Sequence, residues 1–542
     1  GDPSAPRAVS LIAIHQHGIP DDFPDAVIAE AEGAKPATMK GREDLRDLPL
    51  VTIDPSDARD HDDAVAAHIE DDGGATIWVA IADVAHYVTP GSALDREAWL
   101  RGNSTYFPDR VVPMLPEGLS ADLCSLHEGV DRPVIAVEMR LDAQGNKTGH
   151  RFHRAMMNSR ASLAYEQAQA GADGVPDAQT APLMDDVIRP LWHAYGLLKG
   201  ARERRQPLEL DLPERRIELS PEGRVTAVAF RERLDAHKLI EEFMVLANVA
   251  AAEELTRRQR PLLFRVHEEP SPEKLDSLRE VAEASGFSLA RGQVLQTSQL
   301  NRLLAQAEGT DFDELINIST LRSMTQAYYH PANFGHFGLA LKSYAHFTSP
   351  IRRYSDLIVH RALISGHDWA AGRTGDGLSP ADIEMLEQTA EHISETERRS
   401  MAAERDTTDR YLAAFLSERI GAEFTGRISG IQRFGAFVKL DETGADGLVP
   451  IREIGNEYFH FDRDAQTLVG SETGMRLGVG QRVTVRLAEA IPLTGGLTLE
   501  LVEIDGKGVV AAAKGARGRT PRRKPARAAK EGEARARKLR RL

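Results

Sequence analysis

The sequence predicts an α+β multidomain chain: a large region of mixed strands and helices, a small five-stranded barrel of the OB type, and a disordered basic tail. Three observations carry this. Strand-like and helix-like hydrophobic patterns alternate to about residue 415, short strands with Gly-rich turns replace them from about Gly421, and beyond Gly506 the composition falls to Ala, Gly, Pro, Lys and Arg. A chain of 542 residues has ample material for several such units and a large core.

Residues 1–45 read as a lead-in, with the turn-rich stretch Gly18-Ile19-Pro20-Asp21-Asp22 followed by a helix over 25–32. Residues 46–415 form the large region. Its first strands are predicted at 50–53, 64–68 and 76–83, the last two joined by the turn Asp71-Asp72-Gly73-Gly74, whose Asp-Gly step suits a hairpin. A helix over 235–257 follows from the broad apolar face of Leu239, Ile240, Phe243, Met244, Leu246, Ala247 and Ala250. Another over 271–286 is punctuated by Ser271 as N-cap, Pro272 in the first turn and Gly286 at the end. Residues 416–506 supply the barrel strands, at 422–429, 436–440, 447–450, 481–487 and 496–502. Residues 507–542 are too poor in apolar side chains to pack.

Charge divides the same way. The net charge of −15 is a sum of opposites: the tail holds fourteen Lys or Arg against two Glu, a net of +12, which leaves −27 for residues 1–506. An acidic body suits a carboxylate-metal site, and a basic tail offers a sequence-independent hold on a polyanion such as RNA or a ribosome. The single cysteine, Cys124, excludes an intrachain disulfide and a Cys-based zinc cluster, fits a reducing cytoplasm, and is expected in the core. There is no apolar run of transmembrane length and no signal-peptide pattern, so a cytoplasmic protein with no membrane partner is expected. The first residue is Gly1, and an additional N-terminal part is expected in the natural protein.

The densest chemistry lies at Asp54, Asp60, Asp62 and Asp63, four of the five aspartates in the ten residues 54–63. Together they repel one another and raise each other's pKa unless a cation neutralises them. Oxygen ligands without Cys favour Mg²⁺ or Mn²⁺, and a carboxylate cluster holding a metal pair is a common apparatus for phosphodiester hydrolysis. An isolated acidic run is more often a solvated loop. Here strands of one sheet are predicted on both sides, which gives the rigidity a metal site needs.

A second constellation is Tyr344-Ala345-His346-Phe347-Thr348-Ser349-Pro350-Ile351-Arg352-Arg353-Tyr354-Ser355-Asp356. Thr348 or Ser349 followed by Pro350 predicts a helix start, with Ile351, Tyr354, Ile358 and Ala362 buried and Arg352 and Arg353 in the first turn. Two arginines at a helix N-terminus suit a phosphate. The alternative is that one of them pairs with a core carboxylate.

These stretches, with Arg101 to Pro116 (Arg101-Gly102-Asn103-Ser104-Thr105-Tyr106-Phe107-Pro108) and Gly335-His336-Phe337-Gly338-Leu339, resemble the ribonuclease II family, the RNB domain, and within it most closely the bacterial ribonuclease R group. The resemblance implies a mixed sheet surrounded by helices with an RNA channel, and a processive 3′-to-5′ exoribonuclease that hydrolyses single-stranded RNA to nucleoside 5′-monophosphates by a two-metal mechanism. It implies Mg²⁺, with Mn²⁺ able to substitute, held by Asp54, Asp60, Asp62 and Asp63, with Asp62 the carboxylate that hydrolysis cannot lose. It places Arg352 on the scissile phosphate with Arg353 on RNA beside it, Tyr106 stacked on a terminal base, Tyr165 near a second stacking position, and Glu404 near the 3′ end. Leu210 stands near where relatives often have an aromatic clamp, which weakens one jaw.

The barrel resembles an S-one type RNA-binding domain through Gly430-Ile431-Gln432-Arg433-Phe434-Gly435-Ala436-Phe437-Val438 and Gly447-Leu448-Val449-Pro450. Phe434 and Phe437 would face opposite sides of a regular strand, so a bulge at Gly435 is expected to bring both to RNA. Pro450 stands where related domains often carry a histidine that touches RNA. Cold-shock domains that precede the catalytic domain in such relatives are not seen, and the chain is expected to act as a monomer. The rival readings are a catalytically silent RNA-binding regulator on the same fold, and a deoxyribonuclease.

Overall fold

The computed structural model describes residues 5–291, 295–369, 375–463 and 465–508. The basic tail, with its expected RNA or ribosome contact, lies outside the described residues apart from Lys507 and Gly508.

The large region is built on strands β1 (Glu43–Asp44), β2 (Thr52–Asp54), β3 (Asp63–Ile69), β4 (Ala75–Ala82), β5 (Asp131–Leu141), β6 (Lys147–Asn158) and β7 (Ser162–Ala164). A five-stranded sheet runs in the order β1-β6-β5-β4-β3, antiparallel except for the β1–β6 pair. The apolar runs of β4 and β5 put Ile77, Val79, Ile81, Ile135, Val137 and Met139 in the core, because helices cover them: Arg189–Arg205 packs on β3 and β4, and Asp235–Arg257 on β4 and β5. The β3–β4 turn closes as its residues dictate. Gly73 adopts φ +85°, and the Asp72 carboxylate accepts from the Gly74 N–H at 2.8 Å.

One expectation changes here. β2 is not part of the sheet that holds β3. It pairs in parallel with β7, and a single bridge, Val51 to Val65, ties it to β3. The aspartate-bearing loop therefore joins two sheets rather than two strands of one.

Helix Asp235–Arg257 has the predicted bounds, and helix Pro272–Ala284 is capped by Ser271, whose Oγ accepts from the Lys274 N–H at 3.3 Å. The helix expected from Ser349 and Pro350 begins later, at Tyr354, with Arg353 extended at its N-cap. Residues 349–353 instead make a tight turn, in which the Ser349 carbonyl accepts from the N–H groups of Arg352 (3.2 Å) and Arg353 (3.0 Å). Helix Tyr354–Gly366 is buried on nearly every side, and its Arg361, wholly inaccessible, is matched by Asp95 at 2.7 Å and Asp382 at 3.4 Å.

The 31-residue helix Leu386–Leu416 spans roughly 46 Å and contacts the short strand Thr105–Tyr106 and two barrel strands, Arg482–Ile491 and Gly496–Ile504. Against it lies an unpredicted N-terminal helix, Ala8–Gln16, whose Ala13 and Ile14 share a small core with Ile19, Phe107, Val112 and Ala403. No described helix is long and apolar enough to cross a membrane.

The barrel is formed by Glu423–Gln432, Gly435–Leu440, Asp446–Pro450, Arg482–Ile491 and Gly496–Ile504, closed by a parallel contact of Leu448 with Thr498. Alternate residues such as Phe424, Ile428, Val438, Val483, Val485 and Leu499 fill it. A three-stranded sheet, Phe459–Asp462, Thr467–Gly470 and Arg476–Gly478, is inserted before the fourth strand. The hairpin of Arg215–Leu219 and Val225–Phe230 reaches across from the large region, where the Arg215 guanidinium donates to the Gly444 carbonyl at 2.9 Å.

The expected bulge at Gly435 is also corrected. Arg433 and Phe434 form a two-residue turn between paired Gln432 and Gly435, and the register slips at Ser429 in the facing strand. Phe434 therefore leaves the strand altogether, and its ring meets Phe437 edge to face at 6.0 Å. Gly435 has φ +153°, and a Cβ there would stand 2.1 Å from the Val449 carbonyl, so this turn admits no larger residue.

Candidate active site

The four aspartates are held by backbone, not by side-chain luck. Asp54 ends β2, Asp63 begins β3, and the loop between them is pinned by hydrogen bonds from Ala82 N–H to the Asp62 carbonyl (2.9 Å), from Leu126 N–H to the His61 carbonyl (3.0 Å) and from His61 N–H to Ser125 Oγ (2.9 Å). Ser125 Oγ in turn donates to the Arg59 carbonyl at 2.7 Å. Asp62 is 5% exposed, and its Oδ1 accepts from the Ile351 N–H at 3.0 Å. The Arg352 Nε lies 3.7 Å from its Oδ2. Asp54 Oδ2 stands 2.7 Å from His61 Nδ1, and Asp63 Oδ2 is buried without a hydrogen-bond partner.

Electrostatics follow from that inventory. Burial drives Asp62 well above the usual carboxylate range; Arg352 and the Ile351 N–H oppose this, and Asp63 and Asp60 add to it. Burial, then the charge of Asp54, pushes Asp63 up to about 7. Asp60 is raised by burial against the pull of its own backbone N–H and of Arg352. For His61, burial acts downward, but the hydrogen bond and charge of Asp54 outweigh it and the net shift is upward. A single nearby guanidinium serves a cluster of carboxylates, so the site carries an unmet demand for positive charge. Among the described residues no three Asp, Glu, His or Cys side chains already stand in the arrangement of a metal cage. The donor type does fit a hard cation: carboxylate oxygens, one of them buried and unpaired, with no thiolate among them.

Two tyrosines lie within reach of the cluster's charges, Tyr106 beside Asp60 and Asp62 and Tyr165 beside Asp54 and Asp63. The Tyr106 hydroxyl is the enclosed end of the residue: burial pushes it up to about 12, with Arg352 opposing and Asp60 and Asp62 adding, while the residue as a whole is 39% exposed. Its backbone N–H donates to Glu404 Oε1 at 2.9 Å, and the Glu404 carboxyl is raised by burial. Tyr165 is raised by burial and then by Asp63 and Asp54, and its ring stacks on His237 at 4.0 Å.

The two arginines part company. Arg352 is 48% exposed at its side chain and faces Asp62, whereas Arg353 donates from Nε and a terminal nitrogen to both oxygens of Asp356, at 3.0 and 2.8 Å. Pairing with a core carboxylate, the alternative raised for this pair, is what Arg353 does. Leu210 packs against the small apolar core of helices Pro272–Ala284 and Thr297–Ala307. Phe434 and Phe437 stay with the barrel. The sequence reading missed His61, although it stands between Asp60 and Asp62, and it missed Ser349, Ile351 N–H and Asp356, whose roles arise only when the 349–353 turn closes.

Comparison with known proteins identifies the family and the fold. The RNB domain matches residues 42–366 and the S1 RNA binding domain residues 418–490. The chain is 43% identical to ribonuclease R of Escherichia coli over 488 residues, 88% of this chain and 60% of that protein. It is 37% identical to ribonuclease R of Aquifex aeolicus over 511 residues, 93% of this chain and 71% of that one. The fold overlays the structure of Mycoplasma genitalium RNase R in complex with ribose methylated single-stranded RNA with a TM-score of 0.87 and 30% identity, covering 93% of this chain and 79% of the other. The chain thus spans about 60% of the length of the Escherichia coli relative. With its RNB region, its barrel and this extent of similarity, the chain belongs to the RNB-domain family, in the ribonuclease R group.

Proposed function

We propose that this chain hydrolyses RNA processively from the 3′ end, releasing nucleoside 5′-monophosphates, with divalent cations held by Asp54, Asp60, Asp62 and Asp63. The observation that carries the reading is the charge deficit of this carboxylate cluster, with Asp62 buried and the rest half-buried, beside Arg352 and an exposed Tyr106, in a chain of this family. When bound, Mg²⁺, or Mn²⁺ in its place, supplies charge neutralisation and makes water more acidic. The protein's own groups do the rest. Arg352 offsets charge that develops on the scissile phosphate, a role open to it because it lies next to Asp62 with its side chain about half exposed. Tyr106 offers a ring to the terminal base, a contact of about 1 to 3 kcal/mol that any base can make. Glu404 fixes the Tyr106 backbone.

RNA as substrate is supported by the relatives: Mycoplasma genitalium RNase R has been solved with ribose methylated single-stranded RNA and with double-stranded RNA. The barrel supplies a second surface, with Phe434 and Phe437, for the strand outside the cluster. The test is parallel digestion of 5′-labelled RNA and DNA of one sequence with Mg²⁺ and with a chelator. The expected result is a ladder shortening from the 3′ end on RNA alone, abolished by chelation. Equal cleavage of DNA supports a deoxyribonuclease, and tight RNA binding without cleavage supports a silent regulator; either outcome overturns the proposal.

A further inference from the structure

Arg352 acts from a turn, not from a helix, and something must hold that turn. Asp356 does so with a fully buried carboxylate that accepts from four donors: the Ser349 N–H (2.8 Å), Ser355 Oγ (2.7 Å), and two nitrogens of Arg353 (3.0 and 2.8 Å). The bonds run from the first residue of the turn to its last, so they close residues 349–353 with Pro350 and Ile351 at the apex and Arg352 on the returning side. Ser349 Oγ then accepts from a terminal nitrogen of Arg352 at 3.0 Å, which sets the direction of its guanidinium.

The same turn is fastened to both halves of the site. Its Ile351 N–H donates to Asp62 at 3.0 Å. On the other side the Ser104 N–H donates to the Arg352 carbonyl (3.0 Å) and the Tyr354 N–H to the Gly102 carbonyl (2.9 Å), two strands of contact that lead directly to Tyr106. A carboxylate is the group this junction needs, because every partner is a donor and two oxygens provide sites for all four. An amide would turn its NH₂ toward Arg353 or the Ser349 N–H and break the closure.

We infer that Asp356 is a positioning residue for the reaction: it touches no substrate, and it acts through Ser349 and Arg353 to aim the Arg352 guanidinium at the reacting phosphate. The inference rests on the hydrolytic reading above. A helix cap without this role would hold the same bonds, but its loss would not depend on whether Arg352 is present.

The experiment is single-turnover hydrolysis of 3′-labelled single-stranded RNA with Mg²⁺, alongside RNA affinity and melting curves, for the wild type, Asp356→Asn, Ser349→Ala, Arg352→Ala and the two double variants with Arg352→Ala. Failure of the wild type to cleave RNA overturns the hydrolytic reading itself, and needs no variant to be seen. With an active wild type, Asp356→Asn is expected to slow cleavage about 10²-fold by misplacing the guanidinium, and Ser349→Ala about tenfold by removing its acceptor, both with RNA affinity retained. In the Arg352→Ala background both substitutions should cost nothing more. Independent, multiplying losses in that background, or weakened RNA affinity at an unchanged rate, overturn the inference. If Asp356→Asn fails to fold, Ser349→Ala and its double variant decide the question alone.

Discussion

Asp62 and Asp83 are neighbours at one edge of the sheet, joined through the Ala82 N–H that donates to the Asp62 carbonyl, and both are nearly inaccessible. Their surroundings are opposite. Asp83 receives Arg42 and Arg154, each at 2.8 Å, and Arg154 also meets Asp376 at 2.8 Å. Although burial acts to raise Asp83, those two guanidinium groups outweigh it and hold the carboxyl well below the usual range. Asp62 has one backbone N–H and an arginine at 3.7 Å, and its carboxyl is driven up. The fold thus neutralises one buried carboxylate with its own side chains and leaves the other short of positive charge, which is the condition the proposed cation site requires.

The largest stability effect should separate the pair. Asp83→Asn leaves Arg42 and Arg154 buried beside a neutral group and is expected to cost about 3 to 5 kcal/mol in chemical denaturation. Asp62→Asn removes an unfavourable buried charge and should cost little or raise the midpoint. Equal losses in the two variants would break the comparison.

Acid pH sharpens it. The folded-state pKa of Asp83 is depressed, so its contribution is complete above the unfolded value of about 3.9 and is lost as pH falls through the folded value. The wild type should therefore lose stability below about pH 4 more steeply than Asp83→Asn, as read from denaturant midpoints. Parallel curves for the two would show that the Arg42–Asp83–Arg154 cluster is not the source.

Metal provides the converse probe. Mg²⁺ at about a hundred times its dissociation constant should stabilise the wild type by about 2.7 kcal/mol, and Asp63→Asn should lose most of this. A Mg²⁺ shift that survives in Asp63→Asn would place the ion elsewhere. A smaller effect is expected at Tyr106→Ala, about 1 to 3 kcal/mol in affinity for single-stranded RNA with no change between base sequences. Deleting residues 509–542 should flatten the dependence of log RNA affinity on log salt if the tail contacts phosphates; an unchanged slope would assign that dependence to the body.

Much of this was legible in the residues. Hydrophobic spacing marked helix Asp235–Arg257, and spacing together with Gly-bearing turns marked the β3–β4 hairpin and the five barrel strands, because each depends on local pattern. The aspartate cluster was legible because its repulsion is a property of spacing. What escaped depends on partners far away in the chain. β2 finds β7 more than a hundred residues on, and the Ser349–Pro350 helix start is undone by the grip of Asp356 on Ser349 and Arg353. The three-stranded insert at 459–478 is a separate sheet of three- and four-residue strands, too short for their hydrophobic pattern to mark them. Arg352 and Arg353 are indistinguishable in sequence, and only the turn decides that one faces the site and the other the core.

The most direct test of the central claim is Asp62→Asn, assayed together for RNA hydrolysis with Mg²⁺, RNA affinity and thermal midpoint without metal. Hydrolysis is expected to vanish while affinity and midpoint are kept or rise, as fits a carboxylate held at a cost to the fold for the sake of a cation. Full hydrolysis, or collapse of the fold comparable to that of Asp83→Asn, would contradict it.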